Sequence, residues 1–179
     1  LTGPGGEELR EGVQAQRVRE IRPEDLLGRA PVELDEAGVA ATLAGKAVMI
    51  TGAGGSIGAE LCRQVARFGP ARLVLFEASE FNLYSVEQEL GAAFPALEIV
   101  RLLGDVKDEA RLAEVFATWR PAVVFHAAAY KHVPLVERDN AWAALQNNLV
   151  GTWRVGLAAA RAGAERFVLI STDKAVNPT

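Results

Sequence analysis

The sequence predicts an α/β protein built on a doubly wound parallel sheet. Three observations carry the prediction. From Lys46 onward, short apolar runs alternate with longer amphipathic stretches. The first apolar run, Ala47-Val48-Met49, passes straight into Ile50-Thr51-Gly52-Ala53-Gly54-Gly55-Ser56-Ile57-Gly58. The second apolar run ends on an acid, Glu77, nineteen residues beyond Gly58.

The elements follow in order. A strand is predicted at 46–51 and a helix at 56–68. Next come the strand Arg72-Leu73-Val74-Leu75-Phe76-Glu77 and a helix at 80–93. A third strand, Glu98-Ile99-Val100-Arg101-Leu102-Leu103, precedes a helix at 107–118. The strand Ala122-Val123-Val124-Phe125-His126 leads to a long helix at 139–162, and the strand Arg166-Phe167-Val168-Leu169-Ile170-Ser171 closes the series. Strands this apolar are buried on both faces, as in parallel sheets covered by helices. The expected strand order is 3-2-1-4-5, a Rossmann-type sheet. Asn177-Pro178-Thr179 follows the fifth strand closely, so the sheet is expected to be incomplete at the C-terminus.

Residues 1–44 read as a linker and packing segment, and residues 45–179 as a dinucleotide-binding domain. Within the first part, Glu7 to Glu20 shows a weak helical pattern, and Arg22-Pro23-Glu24-Asp25-Leu26-Leu27-Gly28 reads as a turn, one helical turn and a glycine stop.

Composition narrows the function. The 179 residues are 50% hydrophobic, which suits one folded domain of ordinary size. A net charge of −4 without a basic run argues against nucleic acid as a partner. The single cysteine, Cys62, excludes an internal disulfide framework and reads as a small buried residue. No apolar run reaches the roughly 18–20 residues that span a bilayer. No metal-ligand spacing is present, and no signal peptide is recognisable.

The glycine loop is placed to hold a pyrophosphate. Gly52, Gly55 and Gly58 permit a tight bend and close backbone approach, and the helix opening at Ser56 and Ile57 aims free N–H groups at the phosphates. Glu77 accepts hydrogen bonds from both ribose hydroxyls and repels a 2′-phosphate, which favours NAD over NADP. Asp105, followed by Val106, ends strand three; it either accepts from the adenine amine or N-caps the next helix. Ala127 and Ala128 leave room for the cofactor at the end of strand four, where His126 reads as a packing residue. Lys131 and His132 either meet a sugar or phosphate of the substrate or belong to a solvated loop. Asn148 lies on the flank of the long helix, whose Leu145, Leu149, Gly156 and Ala160 are expected to face the sheet. Trp142 and Trp153 read as packing residues. Ser171-Thr172-Asp173-Lys174 places a carboxyl and an amine side by side at the end of strand five, an acid–base pair or a solvated turn.

Together these stretches resemble the extended short-chain dehydrogenase/reductase superfamily. They are most similar to the CapD-like polysaccharide-biosynthesis branch of nucleotide-sugar 4,6-dehydratases, the UDP-N-acetylglucosamine type. The matching text is ITGAGGSIGAELCRQ, LVLFEASEFNLY, HAAAYKHVPLVE, NNLVGT and FVLISTDKAVNPT, and the likeness covers roughly residues 20–179. The resemblance implies a lyase for surface polysaccharide or glycan synthesis. NAD(P) takes a hydride from C4 of a UDP-sugar, water leaves across C5 and C6, and the hydride returns at C6. It assigns Thr172 to the 4-hydroxyl, Asp173 to the acid that protonates the leaving 6-hydroxyl, and Lys174 to the C5 base in place of the usual Glu. It matches the glycines, Glu77 and Asp105 to cofactor positions and Asn148 to the structural asparagine of the long helix.

Two departures matter. The superfamily's Tyr-x-x-x-Lys is missing, since Gln88 and Pro134 stand four residues after Tyr84 and Tyr130. The N-terminal membrane helices of long family members are also absent from this sequence. The resemblance therefore implies a soluble excerpt of an enzyme on the cytoplasmic face, inactive by itself, whose parent is anchored by helices lying elsewhere. Its open sheet edge suggests pairing with a second copy. The alternatives are a nucleotide-sugar 4-epimerase and a non-catalytic dinucleotide-binding module.

Overall fold

A computed structural model describes residues 35–171. The readings made for Glu7–Glu20 and Arg22–Gly28, and for Thr172, Asp173 and Lys174, lie outside the described residues.

Asp35 accepts a hydrogen bond from the Gly38 N–H and so caps α1 (Glu36–Leu43). There follow β1 (Ala47–Thr51), α2 (Ser56–Arg67), β2 (Arg72–Glu77), α3 (Glu80–Ala93), β3 (Glu98–Leu103), α4 (Glu109–Trp119) and β4 (Val123–His126). Then come α5 (Val133–Asp139), α6 (Ala141–Leu145), a π-helical turn (Gln146–Gly151), α7 (Thr152–Arg161) and β5 (Arg166–Leu169). The strands form one parallel sheet of order β3-β2-β1-β4-β5, as the alternation predicted.

Side chains alternate across each strand, which divides the core into two layers. Val48, Ile50, Leu73, Leu75 and Val123 point to one face, where Cys62, Val65, Leu83, Val86 and Leu90 of α2 and α3 cover them. Met49, Val74, Phe76, Val100 and Val124 point to the other, against Leu112, Val115 and Phe116 of α4 and Val155 and Ala159 of α7. β1 and β2 are buried almost throughout, so their backbones are held by neighbours on both sides. β5 is exposed along its length. Among the described residues it pairs only with β4.

Three sequence readings are corrected here. The long helix predicted at 139–162 is present, running without a gap through α6, a π turn and α7. Its inward face, however, consists of Ala144, Asn147, Gly151, Val155 and Ala159. Leu145 and Ala160 are exposed instead, and Leu149 is 65% exposed. At Gly151 the approach is close: a Cβ added there would stand 2.8 Å from Val106 Cγ2, so no larger residue fits at that position. Trp142 and Trp153, expected to pack, are each 71% exposed. The segment from Val133, read as loop, forms α5, with Pro134 in its first turn where a missing N–H costs nothing.

Candidate functional site

The site is assembled from the carboxyl ends of β1, β2, β3 and β4, the rim at which open parallel sheets hold ligands. Beyond Thr51 the chain turns back at Gly52, whose φ of +65° is left-handed. A Cβ at Gly52 would lie 2.8 Å from the Ala128 N and Cα, so the end of β4 rests directly on this glycine. The Gly52 N–H donates to the Phe76 carbonyl at 2.8 Å, and the Gly55 N–H donates to the Gly52 carbonyl at 3.1 Å. A Cβ at Gly58 would run into that same carbonyl oxygen. The bend is therefore clamped between two strands and the first turn of α2.

Gly55 is the N-cap of α2 and has no side chain to bond the first-turn N–H groups. Gly55, Ser56 and Ile57 are exposed. The open N-terminus, with its partial positive charge, faces solvent at the rim.

Glu77 ends β2 and is only 9% exposed. Its Oε2 accepts the Gly54 N–H at 3.0 Å, and its Oε1 accepts the Ala78 and Ser79 N–H groups, each at 3.0 Å. A carboxylate offers about four acceptor directions. Three are taken, which leaves one on Oε2. The reading in which Glu77 serves both ribose hydroxyls is thus narrowed: the carboxylate first holds the glycine loop. Gly54 itself is pressed by Asn82 in the first turn of α3, where an added Cβ would collide. Ser79 caps that helix through the Asn82 N–H.

Asp105 lies just past β3. Its Oδ1 accepts the Lys107 N–H at 2.8 Å and its Oδ2 pairs with Lys107 Nζ at 2.7 Å. Burial works against its charge, but the bonds from Lys107 outweigh that and hold the carboxyl below its usual pKa. The N-cap of α4 is Asp108, through the Arg111 N–H, and not Asp105. Of the two alternatives offered for Asp105, capping is thus excluded, because the turn Asp105–Asp108 delays the start of the helix. Val106 is buried in the core against Gly151, so its side chain points away from the rim.

Past β4, the Ala127 N–H donates to the Thr51 carbonyl at 3.1 Å, and Ala128 and Ala129 carry the chain to Tyr130. Asn148 of the π turn grips that loop. Its Oδ1 accepts the Tyr130 N–H and its Nδ2 donates to the Tyr130 carbonyl, both at 2.8 Å. Lys131 then reaches across, and its Nζ lies 3.3 Å from Ser56 Oγ. The structure thus brings Lys131 to the mouth of the glycine loop. His132 is exposed and precedes α5 without a side-chain cap.

Sequence reasoning read His126 as a packing residue, which its burial bears out, and missed its two polar partners. Thr51 Oγ1 lies 2.6 Å from His126 Nδ1, and His126 Nε2 lies 2.9 Å from Thr152 Oγ1. His126 is 1% exposed, and burial pushes its pKa down to about 4. Polar residues at strand ends were the available signal, but nothing in their spacing reveals that they meet. Among the described residues, no group of three or more His, Cys, Asp and Glu could hold a metal ion. A cavity of about 390 Å³ between α4 and α7, lined by Leu112, Phe116, Arg154 and Leu157, shares no residue with the rim.

The parallel sheet of order 3-2-1-4-5 with its clamped glycine bend defines a Rossmann-type fold. Residues 48–179 match the family model described as polysaccharide biosynthesis protein, and the chain belongs to that family. It is 44% identical over 168 residues to the capsular polysaccharide biosynthesis protein CapD of Staphylococcus aureus, covering 93% of this chain and 28% of that protein. It is 32% identical over 135 residues to an inverting UDP-N-acetylglucosamine 4,6-dehydratase of Campylobacter jejuni, covering 74% of this chain and 38% of the enzyme. The X-ray structure of Pen from Bacillus thuringiensis superposes with a TM-score of 0.69 at 30% identity, over 76% of this chain and 41% of that one. The chain therefore spans well under half the length of these relatives. Among the described residues no helix is long and apolar enough to cross a membrane.

Proposed function

We propose that this chain is the NAD-binding portion of a UDP-sugar 4,6-dehydratase that acts in polysaccharide synthesis. One observation carries the reading. The clamped bend Gly52–Gly58 opens the N-terminus of α2 at the sheet rim, and Glu77 is tied to that bend through Gly54.

The residues fit a dinucleotide. The first-turn N–H groups of α2 and the Lys131 ammonium flank one position beside Ser56, which suits two linked phosphates. Lys131 is therefore assigned to the cofactor pyrophosphate in preference to the substrate sugar. The remaining Oε2 acceptor of Glu77 suits one ribose hydroxyl and opposes a 2′-phosphate, favouring NAD over NADP. Asp105, partly exposed, is left to the adenine amine. When bound, the nicotinamide accepts a hydride and returns it. Asn148 keeps the Tyr130 loop in place at the rim.

The sugar chemistry is proposed from the family. Thr172 would hold the 4-hydroxyl, Asp173 would protonate the leaving 6-hydroxyl, and Lys174 would take the C5 proton. The sequence holds no tyrosine with a lysine four residues on, so the 179 residues alone are expected not to turn over.

The test is direct. Calorimetric titration of the chain with NAD and with NADP should show NAD bound at least about tenfold tighter. Incubation with NAD and UDP-N-acetylglucosamine should show no loss of water by mass. Absence of NAD binding would overturn the cofactor reading, and a 4-keto-6-deoxy product would overturn the inactivity. In a longer protein that also supplies the Tyr- or Met-x-x-x-Lys element, Asp173→Asn should abolish dehydration. Full activity of that variant, with C4 inversion, would favour the epimerase.

A further inference from the structure

The polar groups around His126 form a directed chain. Thr152 has one hydroxyl proton, and it is given to the Asn148 carbonyl at 2.6 Å. A carbonyl cannot donate, so the Thr152 oxygen is left to accept from His126 Nε2 at 2.9 Å. His126 must then carry its proton on Nε2, and its bare Nδ1 accepts from the Thr51 hydroxyl at 2.6 Å. For the neutral ring, which burial favours, the tautomer follows from this count of protons.

That chain connects with the contacts already described. Thr51 precedes Gly52, and Asn148 holds both backbone groups of Tyr130 through its side chain. Lys131, the next residue, returns to Ser56. A closed circuit therefore runs Thr51–His126–Thr152–Asn148–Tyr130–Lys131–Ser56 and encircles the mouth of the glycine loop. The Thr152 bond to the carbonyl four residues back falls at the join between the π turn and α7, where a hydroxyl can satisfy backbone that a regular helix would pair. The ring also stacks against Phe167 of β5 with centroids 6.0 Å apart, which fixes its plane.

We infer that His126, locked as the Nε2–H tautomer, is a positioning residue that fixes the π turn and, through Asn148, sets the Tyr130–Lys131 loop over the phosphate-binding bend. It touches no ligand itself. The consequence for NAD affinity rests on the cofactor reading above, while the consequence for loop order does not.

The experiment has two arms. Nitrogen-15 NMR of the histidine-labelled chain should show a protonated Nε2 and a bare Nδ1 at His126. A protonated Nδ1, or rapid exchange between tautomers, would overturn the inference. In the second arm, amide hydrogen exchange is followed at Tyr130. Thr152→Val should speed that exchange about tenfold or more, the scale of one lost hydrogen bond, while Thr152→Ser restores it. His126→Gln, whose amide can still donate toward Thr152, should protect Tyr130 better than His126→Asn. Unchanged exchange at Tyr130 in Thr152→Val and His126→Asn, with Val74 still protected, would sink the inference. Should His126→Asn fail to fold, the Thr152 pair decides. NAD titration of the same proteins separates the two readings. A wild-type chain that ignores NAD ends the cofactor reading, and the exchange and tautomer data still judge His126.

Discussion

The Glu77 carboxylate and the Gly54 N–H, twenty-three residues apart in sequence, meet at 3.0 Å and join the end of β2 to the glycine loop. The same carboxylate accepts two further N–H groups from its own loop. An acid expected to read a ribose is thus a fastener that shapes the glycine bend.

Replacing Glu77 with Ala leaves three backbone donors without their acceptor. A loss on the order of 2–4 kcal/mol is expected, since water reaches the site only in part. Glu77→Gln retains one acceptor oxygen and should lose less. Urea unfolding of both variants measures the difference. Equal stability of Glu77→Ala and the wild type would show that the fastener contributes nothing.

Gly52→Ala should be among the most damaging single changes. It combines a left-handed backbone with a Cβ only 2.8 Å from Ala128, and a loss of at least about 2 kcal/mol follows. Gly91 in α3 provides the contrast. A Cβ there meets nothing within 4 Å, so Gly91→Ala should stabilise by about 0.5–1 kcal/mol. Thermal melts of the two variants should move in opposite directions.

Acid should act through His126. Its pKa falls from 6.5 unfolded to about 4 folded, so the folded chain prefers the neutral ring. The stabilisation is complete above pH 6.5 and is lost as pH falls from 6.5 toward 4, because the unfolded chain takes up the proton first. The total is about 3 kcal/mol. His126→Gln should flatten this part of the stability–pH curve. An unaltered slope in that variant would assign the acid sensitivity elsewhere.

Cys62 should be chemically silent in the folded chain. It is fully buried beneath β1, and desolvation pushes its thiol up to about 12. A thiol-reactive dye should label it only as the chain unfolds. Rapid labelling under native conditions would contradict the packing of α2 on the sheet.

Much of the fold was legible because it rests on local patterns. Ala47–Thr51 and Arg72–Glu77 are continuous apolar runs, and only a strand covered on both faces uses such runs. The glycine bend was legible because its positions answer to steric demands. The helix after β4 was misread for the opposite reason. Bulky Leu145 and Leu149 suggested an inward face, but the helix instead buries Ala144, Asn147, Gly151, Val155 and Ala159, with Gly151 set directly against Val106. The reading of Asp105 as a cap failed on one turn of loop, which composition does not reveal.

By itself, the sequence determined the alternation of strands and helices and the position of the glycine bend. Those follow from hydrophobic periodicity and from glycine's missing side chain, which act within a few residues of themselves. Only the tertiary structure decided that Glu77 holds Gly54, that Lys131 stands over Ser56, and that Thr51, His126 and Thr152 share one chain of protons. A hydrogen bond forms where two groups are brought within about 3 Å, and residues 75 positions apart reach that distance only after the strands between them have paired.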